Sequence, residues 1–188
     1  MQVYEPKAGQ RLLHDCNNTA MGWAIPASIG ASLAAPGKKI FCLTGDGSLS
    51  MNIQELATIR HLNLPIKVCV FNNHGYSMIK QTQDQWLMGR YYASGPQGGI
   101  ADPNFTEVAK AFGLRSRNVC LSQEVESGLE WLMEGDEPTL LDLSIPGDYR
   151  VVPQVKYGRP NEDAEPLLDR SEFAEQMIVP IHKNSFGS

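Results

Sequence analysis

The sequence predicts an α/β fold, a doubly wound parallel sheet with helices on both faces. Three observations point to it. Two compact apolar runs, Ile40 to Thr44 and Ile66 to Phe71, stop abruptly in small or polar residues, as buried parallel strands do. Helical periodicity fills the segment between them, and strand and helix candidates go on alternating through most of the chain.

The elements follow in order. Met21, Trp23 and Ile25 open an early helix that is apolar on more than one face. Between the two strands, Ser50 to Leu62 places Ile53, Leu56, Ala57 and Ile59 at helical spacing, with Asn63 and Pro65 as stop signals, which completes a βαβ unit. Another helix is expected to start after Gly75. Asn104 to Phe112 repeats apolar residues at Phe105, Val108, Ala109 and Phe112, and Gln123 to Glu134 does so at Val125, Leu129, Leu132 and Met133. Asn118 to Leu121 and Thr139 to Ile145 are the remaining strands. Residues 89–104, rich in Gly, Pro, Ser and Asp without periodicity, read as a long mobile or substrate-facing loop. From Pro146 the chain turns Pro- and acid-rich and closes with a short helix near Ser171 to Met177. Residues 1–158 then form one binding domain, and 159–188 a C-terminal tail packed on it or on a neighbour.

A length of 188 residues suits a single buried core, and 42% hydrophobic against 20% charged residues excludes a mostly disordered chain. A formal net charge of -5 with no Lys/Arg stripe argues against a nucleic-acid partner. No apolar stretch approaches about 18 residues and the N-terminus carries no signal-like pattern, so a cytoplasmic chain without membrane contact is expected. Cys16, Cys42, Cys69 and Cys120 stand apart without a C-x-x-C pair and are expected to be reduced and buried.

The chemistry is concentrated at two strand ends. Gly45-Asp46-Gly47-Ser48 follows the first, Asn72-Asn73 the second, and 24 residues separate Gly47 from Asn72. Open parallel sheets bind ligands at the carboxyl ends of their strands, so both motifs fall on that edge. A carboxylate from Asp46 and an amide oxygen from Asn73 suit Mg²⁺, which completes its octahedron with phosphate oxygens and water. Glycines around Asp46 let the backbone approach a diphosphate, Ser48 offers a hydroxyl, and Tyr76 and Ser77 begin a helix whose N–H groups favour an anion. Taken singly, Gly-Asp-Gly also reads as a strand-ending turn, Asn-Asn as a pair of turn residues, and Met21 as a core residue.

Taken together, the pair at this spacing resembles the thiamine-diphosphate signature. Met21-Gly22-Trp23-Ala24-Ile25-Pro26-Ala27-Ser28-Ile29-Gly30-Ala31, Gln54-Glu55-Leu56-Ala57-Thr58 and Asn63-Leu64-Pro65 are similar to acetolactate synthase relatives over about residues 10–180. The resemblance implies a thiamine-diphosphate-binding fold that lacks its first strand and helix, with thiamine diphosphate and Mg²⁺ as cofactors. It implies metal binding by Asp46, Asn73 and the Gly75 carbonyl, and diphosphate or pyrimidine contacts from Gly45, Gly47, Ser48, Tyr76, Ser77 and the Thr19 backbone. Met21 would bend the cofactor into its reactive form.

His74, Gln81, Thr82 and Gln83 are the implied substrate-facing residues. Thr82 stands where the family's Met-x-x-Gln-Trp-Gln run carries Trp, which puts strict acetolactate synthesis in doubt. The implied activity is decarboxylation of a 2-keto acid, followed by aldehyde release or coupling to a second carbonyl. The Glu that activates the cofactor is expected from a missing pyrimidine-binding domain or subunit, so the isolated chain is expected to be inactive and to homo-oligomerise. A non-catalytic binding module and one subunit of a split enzyme remain the alternatives.

Overall fold

The computed structural model describes residues 4–185. Its centre is a sheet of four parallel strands, β1 (Ile40–Gly45), β2 (Ile66–Asn72), β3 (Arg115–Val119) and β4 (Thr139–Ser144), in the order β1-β2-β4-β3. The central pair, β2 and β4, is buried along nearly its whole length, which explains why both read as continuous apolar runs. Register aligns Gly45 with Phe71 and Asn72 with Ser144, so the carboxyl ends meet along one edge.

Helices cover both faces, as expected. Ile25 of α1 (Ala24–Ala34), Leu56 and Ile59 of α3 (Glu55–His61) and Phe105 and Ala109 of α5 (Phe105–Ala111) close over Val68, Val70 and Leu140. On the opposite face Leu132 of α6 (Val125–Met133) packs with Cys69, Val119, Leu141 and Leu143. This second layer is narrower. Phe41, Leu43 and Phe71, which project to the same face as Cys69, keep 43–47% of their surface exposed.

Several boundaries differ from the sequence reading. The helix expected over 50–62 is two, α2 (Asp46–Met51) and α3, because the chain turns at Asn52 to let its amide bond Gly22 O at 2.7 Å. The early helix begins only at Ala24, with Pro26 in its first turn where a missing N–H costs nothing, and Met21 stays outside it. β3 lies at Arg115–Val119 rather than 118–121. As an edge strand it tolerates polar residues, while Leu121 is left 52% exposed. Cys42 and Cys69 are buried, but Cys16 and Cys120 are exposed, and all four thiols are free.

The helix after Gly75 is α4 (Ser77–Trp86). The 89–104 segment holds only a short 3₁₀ turn at Pro96–Gly98, yet it is tied down rather than loose. Ser94 is fully buried, and its carbonyl accepts the Tyr76 N–H at 2.9 Å. The tail crosses α4 through an edge-to-face contact of Trp86 with Tyr157 and an Arg150–Asp84 ion pair at 2.7 Å. Its α-helix is α7 (Arg170–Gln176), capped by Asp169, and a 3₁₀ turn at Lys183–Ser185 follows. Hydrogen bonds between Gln154 and Glu165 span the 158/159 boundary, and Arg159 and Arg170 both grip the buried Asp163 carboxylate at 2.9 and 3.0 Å.

Lys67 is the largest departure from an apolar core. It is wholly buried, and its ammonium donates to the carbonyls of Glu134 and Glu137 at 2.7 and 2.8 Å and to Thr139 Oγ1 at 3.2 Å. The cation thus sits at the C-terminal end of α6, where the helix carbonyls carry negative charge. Burial pushes its pKa down. Among the described residues no helix is long and apolar enough to cross a membrane.

Candidate metal and diphosphate site

β1 delivers Gly45 to the carboxyl edge, and Asp46 follows as the first residue of α2 with only 3% of its surface exposed. Its Oδ1 accepts the Gly47 N–H at 2.8 Å and its Oδ2 accepts the Gly75 N–H at 2.9 Å. β2 delivers Asn72 and Asn73 to the adjoining position. The Asn73 amide nitrogen donates to Ser77 Oγ at 2.7 Å, while its Oδ1 is buried with no partner among the described residues. Asp46, Asn73 and Gly75 therefore surround one turn.

An orphaned, buried amide oxygen beside a carboxylate is an unusual expense unless a ligand completes it. The expected donor set would be a carboxylate, an amide oxygen and a backbone carbonyl. All are hard oxygen groups, a chemistry that would fit Mg²⁺ and leave positions for phosphate. Burial, with the nearby charge of Asp46, raises the Asp102 carboxyl pKa, partly offset by His74 and Lys80. Burial likewise raises Asp142, against the amides of Asn72 and Asn118. In both groups burial is the main cause, and the Asp46 charge adds a smaller repulsion.

The wall beside the turn is built by contact. A Cβ on Gly47 would run into the Tyr76 ring and lie 3.1 Å from the Met21 methyl, so only glycine lets these two side chains close over α2. Gly22 fixes Met21 in place. Its N–H donates to Ser48 Oγ at 2.9 Å and its carbonyl accepts from Asn52. Met21 is 43% exposed, and so it lies outside the core. Thr19 occupies the preceding turn at φ +45°, bonded to Asp15 O at 3.2 Å.

The other expected residues are more dispersed. The Tyr76 N–H goes to Ser94 O, so in this conformation it faces the chain and not an anion; Ser77 is the first residue of α4. His74 is exposed at φ +56° beside the turn. Gln81 bonds both backbone groups of Val151 at 3.3 Å. Gln83 is held by Tyr92 O at 2.8 Å and Ser94 Oγ at 2.6 Å. Thr82 is exposed on α4, with its hydroxyl on Met78 O.

A hollow of about 400 Å³, lined by Gln81, Asp84, Gln85, Arg150, Gln154 and Lys156, lies between α4 and the tail. Its cations are already paired, Arg150 with Asp84 and Lys156 with Glu165, so it is set apart from the metal turn in chemistry as well as in lining.

Sequence reasoning missed Asn52, Lys80, Ser94 and Asp142. Lys80, 8% exposed, threads between Gly95 and the Gly147 carbonyl, and a Cβ on Gly147 would lie 2.7 Å from Asn73 O. The only advance signal was a charged residue inside the apolar run Thr139–Ser144.

Comparison with known proteins gives a family. Residues 1–143 match the model of the thiamine pyrophosphate enzyme C-terminal TPP-binding domain. The acetolactate synthase large subunit of Porphyra purpurea is 38% identical over 141 residues, covering 75% of this chain and 24% of that protein. The acetolactate synthase isozyme 2 large subunit of Escherichia coli strain K12 is 34% identical over 144 residues, covering 76% and 26%. Among solved structures, the thiamine diphosphate-dependent 4-hydroxybenzoylformate decarboxylase of Rhodococcus jostii RHA1 superposes with a TM-score of 0.61 at 23% identity, over 68% of this chain and 24% of that one. The chain spans about a quarter of the length of these relatives.

Proposed function

Because this chain belongs to the thiamine pyrophosphate enzyme C-terminal TPP-binding domain family, we propose that it binds thiamine diphosphate through Mg²⁺ and serves a 2-keto acid decarboxylase or carboligase. One observation carries the metal: the buried Oδ1 of Asn73, unpaired among the described residues, on the turn that Asp46 holds through the Gly75 N–H. When bound, the cofactor supplies the electron sink for loss of CO₂ from a 2-keto acid.

The chain's own residues bind and orient. Asp46, Asn73 and the Gly75 carbonyl hold the ion. Gly47, Ser48 and Ser77 line the diphosphate side, and Met21, fixed by Gly22, shapes the cofactor. His74, exposed in the turn after β2, and Thr82, exposed on α4, are the residues assigned to the substrate side. The reading needs a pyrimidine-binding domain or subunit to contribute the activating Glu, so turnover requires a second component.

Calorimetric titration of thiamine diphosphate, with and without Mg²⁺, tests the binding claim. Saturable binding only with the metal is expected, and equal binding without it refutes the metal bridge. Assay of 2-keto acid decarboxylation by the chain alone tests the second component. Turnover above the free-cofactor rate would refute it.

A further inference from the structure

Asp142 lies within β4, the central strand beside β2, in register with Val70 on one side and Asn118 on the other. It is 5% exposed. A carboxyl group in that place carries a desolvation cost that an apolar residue would avoid, and no cation is paired with it among the described ion pairs. Its side chain is engaged on one oxygen: Oδ2 accepts from Asn72 Nδ2 at 3.4 Å, while Oδ1 is buried with no hydrogen bond among the described residues, the nearby Asn118 amide donating instead to the Asp142 carbonyl at 3.1 Å.

The opposite end of the same amide is used too. Asn72 Oδ1 accepts the His74 N–H at 3.2 Å. His74 at φ +56° and Gly75 at φ +148° are the two residues that turn the chain after β2. Asp142 Oδ2 accepts the amide nitrogen's proton, and a backbone N–H only donates, so the two bonds take opposite ends of the Asn72 amide. Asp142 therefore draws the nitrogen end of Asn72 towards the sheet and leaves its oxygen facing His74. Without Asp142, the amide is held at its oxygen end alone, by the His74 N–H, and the start of the turn is less firmly set.

We propose that Asp142 is a positioning residue for the metal-binding turn, acting through Asn72 on residues 73–75. The proposal rests on the reading of Asp46, Asn73 and Gly75 as the Mg²⁺ set. Asp142 needs no contact with the ion, and its effect is on how well the turn is held before the ion arrives.

The test is Mg²⁺ affinity, from calorimetric titration of the 188-residue chain with saturating thiamine diphosphate, together with amide hydrogen exchange at His74 in the metal-free chain. Asp142→Ala is expected to weaken Mg²⁺ binding by about tenfold, and Asp142→Asn, whose amide oxygen can still accept from Asn72, by less than about threefold. Asn72→Ala should match Asp142→Ala, and the double variant should be no weaker than Asn72→Ala alone, since both act along one chain of bonds. Exchange at His74 should quicken in Asp142→Ala without any metal.

Four results overturn the proposal: native-like affinity in a folded Asp142→Ala, equal loss in Asp142→Asn, additive losses in the double variant, or faster exchange without weaker binding. If Asp142→Ala does not fold, Asn72→Ala with unchanged affinity overturns it instead. Asp46→Ala separates the two readings. If that variant loses Mg²⁺ binding while Asp142→Ala keeps it, only the role of Asp142 falls; if Asp46→Ala binds like the parent, the metal set falls as well.

Discussion

Asp46 Oδ2 accepts the backbone N–H of Gly75 at 2.9 Å, joining the start of α2 to the turn after β2 across 29 positions of sequence. With Oδ1 on the Gly47 N–H, one carboxylate satisfies a donor on each side of the site. Its negative charge is left without a cationic partner among the described ion pairs, so the carboxylate stays open to a cation from outside the chain.

Replacing Asp46 by Ala should therefore have two separable effects. The Gly47 and Gly75 N–H groups lose their acceptor, which costs about 1–3 kcal/mol of stability. The rise in melting temperature given by thiamine diphosphate with Mg²⁺ should also vanish. Differential scanning fluorimetry with each component alone and together measures both. A retained ligand-induced shift would remove Asp46 from the metal set.

Gly22 should resist substitution more than an exposed turn glycine. It sits at φ +85°, and an added Cβ would lie 2.5 Å from Asn52 Nδ2 and 3.2 Å from Met51 Cβ. Gly22→Ala is expected to cost about 1–3 kcal/mol in urea unfolding. Part of the cost should disappear in an Asn52→Ala background, where the collision is gone. Full additivity would show that the Gly22–Asn52 contact does not fix the Met21 turn.

The strand ends were legible in the sequence because what defines them is local. β2 is buried on both sides and reads as an unbroken apolar run, and Asp46 and Asn73 follow directly from where such runs stop. β3 was displaced because an edge strand carrying Arg115, Ser116, Arg117 and Asn118 has no apolar signature of its own. The partners of Asn52 and Asp142 were invisible for another reason: each acts far along the chain, on Gly22 at 30 positions and Asn72 at 70. Nothing in a residue's neighbours encodes such a pairing.

The thiols give a pH prediction. Burial pushes Cys42 up from 9.0 to about 11, and burial together with Cys42 and Asp142 pushes Cys69 to about 12. The folded chain holds these protons more tightly than the unfolded one, so their contribution to stability is complete below pH 9.0 and is lost as pH rises towards 11–12. Brief iodoacetamide treatment at about pH 8 should label Cys16 and Cys120 in the native chain, and all four cysteines in urea. Mass spectrometry counts the adducts. Native labelling of Cys42 or Cys69 would contradict their burial.

The last prediction concerns association, and it follows from the uneven cover of the sheet. α6 shields the face at β2, β4 and β3, while Phe41 and Leu43 of β1 and Phe71 of β2 stand 43%, 47% and 44% exposed beside it. β1 is also an edge strand with an open row of backbone groups, a natural place for pairing. Around the site, Met21, Trp23, Met78 and Ile79 add exposure of 43%, 38%, 64% and 47%. Apolar surface gathered in this way marks an interface more often than a finished monomer surface. The isolated chain should therefore form homo-oligomers, with a dimer as the simplest closed form, or aggregate slowly. Light scattering after size exclusion, over a dilution series down to roughly micromolar, measures it. Phe41→Ser with Leu43→Ser should shift the distribution towards monomer, because polar side chains at those two positions remove the apolar face without touching the buried Cys42 and Thr44 that alternate with them. A parent chain that stays monomeric across the series would show that this face is tolerated in water and that association is driven elsewhere, if at all.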